Sequence, residues 1–137
     1  MASGHNAMLN GACLCGGVRI DVSGELEHQP EACHCSSCRK QSGHFLAAVN
    51  VRRDALTIHG ARHIGWYQSS EQVLRGFCSV CGSTLFWKPT IEGYEFTAVA
   101  MGLFDSPTKS HLAKHTFVED KGDYYEIADG ITQSKSY

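Results

Sequence analysis

The sequence predicts a mostly-β domain with little helix, and three observations carry that prediction. No segment keeps a 3.6-residue apolar period for the length of an amphipathic helix. Short runs rich in Val, Ile, Phe and Tyr alternate with polar residues, as half-buried strands do. Turn signals punctuate the chain roughly every 8–12 residues, the rhythm of an all-β domain.

The elements follow in order. Within Leu9 to Glu25, Cys13-Leu14-Cys15-Gly16-Gly17 supplies a C-x-C pair and a glycine turn. Val18, Ile20 and Val22 then alternate with Arg19, Asp21 and Ser23 in a strand that Gly24 ends. Glu27 to Glu31 reads as a loop leading to Cys33-His34-Cys35-Ser36-Ser37-Cys38. Arg39-Lys40-Gln41-Ser42-Gly43 is a short helical turn stopped by glycine. Phe45 to Val51 is β-prone, Arg52 to Ala55 is a turn, and Leu56 to Ile58 resumes as strand. Ile64 to Tyr67 and Val73 to Phe77 flank Gln68-Ser69-Ser70-Glu71 as a hairpin. Phe77-Cys78-Ser79-Val80-Cys81-Gly82 has knuckle spacing, with a glycine for the tight return. Thr84 to Trp87 and Tyr94 to Ala100 are further strands, Met101 to Asp105 fits no one state, and His115 to Val118 is the last strand. Beyond Glu119 the chain is polar, with Tyr124-Tyr125 as its apolar anchor.

Composition bounds the function classes. The 137 residues suffice for one core, read as a domain over 9–133 between a disordered segment at 1–8 and a tail at 134–137. A formal charge of −2, from 12 basic and 14 acidic residues, draws the chain as a whole to neither nucleic acid nor membrane. No run approaches the ~20 apolar residues of a membrane span. MASGHNAMLN lacks the basic start and apolar core of a signal peptide, so a cytoplasmic protein is expected.

Seven cysteines, an odd number without an export signal, favour metal binding over a disulfide framework. C-x-C and C-x-x-C neighbours rarely reach the geometry of a disulfide, whereas a tight loop suits an ion such as zinc, which takes thiolates at ~2.3 Å. The thiols divide into Cys13/Cys15, Cys33/Cys35/Cys38 and Cys78/Cys81. Two pairs together close a four-sulfur shell of structural type, and the triple keeps an open corner of catalytic type. A cluster that shares sulfurs between metals would also use seven. Histidines compete for the open corner. His34, between two ligand cysteines, should point away from the metal into a polar role, His44 lies close enough to reach it, and His111 and His115 could approach only through the fold.

Three stretches now carry a resemblance: Gly11 to Val18, Cys33 to Lys40, and Phe77 to Leu85, with His115 to Lys121 and Tyr124 at the end. Together they resemble the glutathione-dependent formaldehyde-activating (GFA) family, which includes the domain of centromere protein V, over about Leu9 to Gln133. The resemblance implies a compact antiparallel β-tent fold stapled by two zinc ions. One ion would be structural, on Cys13, Cys15, Cys78 and Cys81. The other would sit in the open site of Cys33, Cys35 and Cys38, the catalytic set. It further implies a carbon–sulfur lyase that joins glutathione, or a related small thiol, to formaldehyde or another small aldehyde, giving S-(hydroxymethyl)glutathione.

Glutathione carries two carboxylates, so cations should line its pocket, and Arg39 and Lys40 are placed for this by adjacency to Cys38. Arg52 and Arg53 come next. Trp66 and Trp87 are candidates for pocket walls or for core. The alternative function is a zinc-stabilised binding module without catalysis, against which a nucleic-acid role finds no basic arm. A second copy of the chain is also admitted as a partner.

Overall fold

The computed structural model describes residues 8–105 and 107–137. The expected disordered segment at 1–8 therefore lies outside the described residues except at Met8, whose backbone opens a strand. Two sheets build the molecule. A three-stranded antiparallel sheet has the order β1 (Met8–Ala12), β2 (Arg19–Ser23), β5 (Leu56–His59). The larger sheet has eight strands. From one edge it runs through β11 (Thr132–Gln133), β10 (Lys114–Thr116), β3 (Glu31–Cys33) and β4 (Leu46–Arg52), and then through β9 (Phe96–Ala100), β8 (Thr84–Pro89), β7 (Val73–Cys78) and β6 (Ile64–Ser70). All pairings are antiparallel except those of β10, which runs parallel to both β3 and β11. One short helix, α1 (Ser36–Ser42), follows β3. No helix among the described residues is long and apolar enough to cross a membrane.

β2 shows why the alternation was informative. Ile20 and Val22 are buried while Arg19 and Ser23 face solvent, as a period of two demands of a strand with one apolar face. The core joins the two sheets, with Val18, Ile20 and Val22 of the smaller packed in one cluster with Val49, Leu85, Phe86 and Val99 of the larger. Full burial of one such side chain contributes about 1.5–3 kcal/mol. β1 crosses this layer closely. A Cβ on Gly11 would sit 2.4 Å from the Leu103 carbonyl oxygen, so this strand position has room only for glycine.

Several boundaries differ from the sequence reading. β6 runs on through Ser70, so the hairpin turns at Glu71 and Gln72 rather than over 68–71. The last expected strand stops at Thr116, because Phe117 takes φ of 54° and leads into a 3-10 turn at Val118–Asp120. The ambiguous stretch at 101–105 begins with a 3-10 turn at Met101–Leu103. β3, which the sequence leaves in a loop, forms because it finds partners on both sides, β4 and β10. Residues 134–137 bond back to the domain: the Phe117 N–H donates to the Ser136 carbonyl, and the Lys114 ammonium lies over the Tyr137 ring.

Candidate metal centre and thiol cavity

The fold brings the seven cysteines into two groups. Cys13 and Cys15 sit in the β1–β2 turn, and Cys78 and Cys81 in the β7–β8 turn, and their four sulfurs lie within 4.8 Å of one another. Sγ of Cys15 is 3.6 Å from that of Cys13 and 3.8 Å from that of Cys78. A disulfide would need ~2.05 Å. A tetrahedron with metal–sulfur bonds of ~2.3 Å has edges of about 3.8 Å, so these spacings fit one ion. Backbone N–H groups face the sulfurs: Val18 N–H donates to Cys13, Gly17 to Cys15 and Cys81 to Cys78. Gly82, at φ of 82°, makes the tight return that knuckle spacing predicted.

Electrostatics within the group ask for a cation. The Ser83 hydroxyl, with the Ser83 N–H, holds Cys81 down to about 5. The Gly17 N–H pulls Cys15 the same way, but the crowd of neighbouring thiols, Cys13 first, outweighs it and pushes Cys15 up to about 11. Four sulfurs this close do not all ionise alone, and a divalent ion relieves that conflict.

Cys33, Cys35 and Cys38 form the second group, also within 4.8 Å. β3 delivers Cys33. Cys35 caps α1, its sulfur accepting from the Cys38 N–H, and Cys38 points inward from the first turn. The Cys38 thiol donates to Cys33 and, with other hydrogen bonds, brings Cys33 down to about 5. The same contact, reinforced by burial, raises Cys38. Among the described residues no histidine, aspartate or glutamate joins the three sulfurs, so they offer this site three ligands and no fourth.

The three cysteines are instead part of the wall of a cavity of about 600 Å³. Polar groups of Ser37, Ser69, Asn50 and Thr116 line it, as do Trp87, Tyr94 and Tyr137 and, farther round, His28 and Glu31. Arg75 is the one Lys or Arg among its described lining residues. A second hollow of about 550 Å³ shares Ser37, Ser69 and Arg75 with the first and is also lined by Lys40. Arg39 lines neither; its Nε is buried without a partner among the described residues. Arg52 and Arg53 line neither, Arg52 being ion-paired with Asp54 and Glu95, and Arg53 bonded to the Pro89 carbonyl and lying over the ring of Tyr94.

His34 turns its back on the metal loop, as its place between Cys33 and Cys35 suggested. Fully buried, it lies 2.5 Å from the Tyr125 hydroxyl through Nδ1 and 2.9 Å from His115 Nδ1 through Nε2. His115 Nε2 is 2.8 Å from the Asp129 carboxylate. One proton assignment satisfies every link. Asp129 can only accept, so His115 donates through Nε2 and accepts through Nδ1. His34 then donates through Nε2 and accepts from the Tyr125 O–H. Burial, helped by the neighbouring His115 and His44 rings and the Lys121 ammonium, holds His34 down at about 4, in keeping with a neutral ring. His44, exposed, bonds the Tyr124 hydroxyl instead and lines neither hollow.

Comparison with known proteins converges on one family. The profile of the family described as glutathione-dependent formaldehyde-activating enzyme matches residues 8–120. The chain belongs to this family. A protein of Halomonas elongata, provisionally named a glutathione-dependent formaldehyde-activating enzyme, is 34% identical over 132 residues, covering 88% of this chain and 81% of its own. An otherwise uncharacterized lyase of Schizosaccharomyces pombe is 28% identical over 120 residues, covering 87% of this chain and 85% of its own. A crystal structure of a Rhodobacter sphaeroides protein superposes with a TM-score of 0.60 at 25% identity, over 73% of this chain and 91% of that one. The mainly β architecture with one helix agrees with the β-tent that the resemblance implied.

For a member of the GFA family, the grouping of cysteines by count and spacing proves to be the grouping in space. The sequence reading missed Arg75 and the Tyr125–His34–His115–Asp129 chain. A single charged residue inside the apolar run Val73 to Phe77, ending on a ligand cysteine, was the available signal for Arg75. Nothing local links His34 to His115, which meet because β3 and β10 are sheet neighbours.

Proposed function

We propose that the protein is a zinc-dependent carbon–sulfur lyase of the GFA type, joining glutathione or a related thiol to formaldehyde. The observation that carries this reading is the three-sulfur site with no fourth ligand among the described residues, set in the wall of a cavity of about 600 Å³. That volume falls within the range of small-molecule sites, ~300–1,000 Å³. In this reading Cys13, Cys15, Cys78 and Cys81 hold one structural zinc, and Cys33, Cys35 and Cys38 hold the second. A zinc ion at the triple supplies an acceptor for a thiolate and a Lewis acid for an aldehyde oxygen. The reaction forms one C–S bond between the thiol sulfur and the aldehyde carbon, and the thiol proton ends on the former carbonyl oxygen.

The chain's own residues bind and orient. Thr116, paired in register with Cys33, and Ser37, between Cys35 and Cys38, place hydroxyls along the wall where the new hydroxymethyl group would lie. Lys40, in the wall of the second hollow, is the outer cation toward which a carboxylate of the thiol would extend, whereas Arg39 lines neither hollow. The aromatic wall of Trp87, Tyr94 and Tyr137 shields the body of the ligand from water.

The test is zinc per chain by elemental analysis, then the cobalt-substituted spectrum with and without glutathione, then product detection by NMR with formaldehyde. Near two ions per chain, a spectrum that shifts with thiol, and a hydroxymethyl signal above the uncatalysed rate are expected. Two ions indifferent to glutathione, with no product, would instead support the zinc-stabilised binding module.

A further inference from the structure

Arg75 is a buried cation with no carboxylate to balance it among the described residues. It projects from β7 with 6% of its surface exposed. Among the described residues no acidic group lies within ion-pair distance of it. Its protein contacts are neutral or sulfur: Nε donates to Ser69 Oγ at 3.0 Å, and Nη1 to Gln41 Oε1 at 3.1 Å and to Cys38 Sγ at 3.5 Å. Removing a guanidinium from water without an anion costs several kcal/mol, so the site must supply negative charge.

Two sources of that charge exist. One is Cys38, a member of the triple, which Arg75 already touches. The other is whatever occupies the cavity. Nη2 has no bond to the described protein, yet Arg39 Nε is the only side-chain nitrogen or oxygen among the described residues that is both sealed from solvent and unpartnered. Nη2 is therefore reachable, and Arg75 stands in the shared wall of both hollows. Ser69 and Gln41 fix the plane of the guanidinium and leave the two N–H groups of Nη2 to donate to an anion such as a carboxylate. Charge points the same way. Three thiolates on a divalent ion leave the site at −1, a thiolate ligand would make it −2, and Arg75 offsets one of those charges.

We infer that Arg75 is the residue that anchors the thiol substrate, binding its carboxylate through Nη2 while Nη1 holds Cys38. The inference rests on the lyase reading and sharpens it: the substrate class is a carboxylate-bearing thiol, and the inner anchor is Arg75, with Lys40 outside it. Arg75 acts on binding and orientation and has no proton to give.

The test uses the zinc-loaded or cobalt-substituted full chain without aldehyde, so it reads binding alone. Glutathione, its diester and cysteamine are titrated by calorimetry and by the cobalt spectrum. Wild type should prefer glutathione over the diester by about 10- to 100-fold, as expected of a charge-assisted hydrogen bond. Arg75→Met should reduce that preference to a few-fold while cysteamine affinity and metal content hold, and Arg75→Lys should fall between, keeping charge but losing the planar guanidinium that Ser69 and Gln41 orient. Equal affinity of wild type for glutathione and diester overturns the inference without any variant, even if Arg75→Met fails to fold. A preference that survives intact in a metal-loaded Arg75→Met also overturns it and hands the carboxylate to Lys40 or Arg39. Selective binding without product from formaldehyde would overturn the reaction and leave the anchor standing. Binding without selectivity would do the reverse, and no thiol binding at all would overturn both.

Discussion

The four-thiol and three-thiol groups use the same side chain in different company. The first gathers its sulfurs from two turns that lie 63 residues apart, Cys15 to Cys78. It ties the β1–β2 turn of the small sheet to the β7–β8 turn of the large one. The second draws all its sulfurs from positions 33 to 38 of one loop. Closing the long loop costs about 2 kcal/mol more chain entropy than closing the short one, so a metal tie there removes more freedom from the unfolded chain. The four-thiol shell is complete in protein ligands, whereas the triple looks onto a cavity. A ligand set that spans the fold holds it together. A set confined to one loop can change occupancy while the fold stands.

The largest test of that contrast is Cys78→Ser, which removes a fully buried ligand of the spanning set. A metal held by the four thiols, as proposed, would contribute folding free energy outright, so the loss should exceed about 4 kcal/mol. At roughly 3–4 °C per kcal/mol for a chain of this size, the melting temperature followed by circular dichroism should fall by more than about 15 °C. Cys35→Ser, in the loop set, should lower it by less than about 5 °C, lose one metal per chain, and reduce glutathione-dependent formaldehyde consumption by at least ~100-fold. Equal melting of the two variants, with equal metal loss, would break the comparison.

Acid should bear on the loop from its other side. The folded His34 ring titrates at about 4 and an unfolded histidine at about 6.5. Between those values the unfolded chain binds a proton that the folded chain refuses. This contribution is therefore intact above pH 6.5 and is lost as pH falls toward 4, reaching about 3 kcal/mol. The check is direct: nitrogen chemical shifts of the His34 ring should stay those of a neutral imidazole down to about pH 4. A midpoint near 6.5 would show that the ring is not sealed by the Tyr125–His34–His115 contacts.

The cysteine grouping was legible in sequence because its signal is local and countable: spacing sets which thiols can share a loop, and seven divides in few ways. Strands such as β2 were legible because one face is wholly buried and the alternation is clean. What sequence could not show was set by pairings between distant segments. β3, three residues long, is a strand because β10 and β4 lie on either side of it, and β11, two residues long, because β10 lies alongside it. Arg75 sits in a run whose neighbours read as ordinary strand, and its burial follows from the cysteine loop that packs over it. Arg39 and Lys40 were chosen by adjacency along the chain, and adjacency does not report which way a side chain leaves a helix.

The smallest effect separates two adjacent tyrosines with the same chemistry. Tyr124 and Tyr125 each place a hydroxyl 2.5 Å from a histidine Nδ1, the first against His44 and the second against His34. In sequence the two are interchangeable anchors. In the fold, Tyr124 and His44 are exposed, so water replaces a lost bond, whereas His34 is sealed and its Nδ1 would be left bare. Stranding a buried acceptor costs about 1–3 kcal/mol, and exchanging an exposed bond for water costs a few tenths. Tyr125→Phe should therefore shift the urea midpoint by an amount worth about 1–3 kcal/mol, and Tyr124→Phe by less than about 0.5 kcal/mol. Because the bond lies on the face of His34 turned from the metal, Tyr125→Phe should also keep its full metal content. Equal shifts in the two variants would mean that water reaches His34, and the loop's polar backing would then be no more than a surface contact.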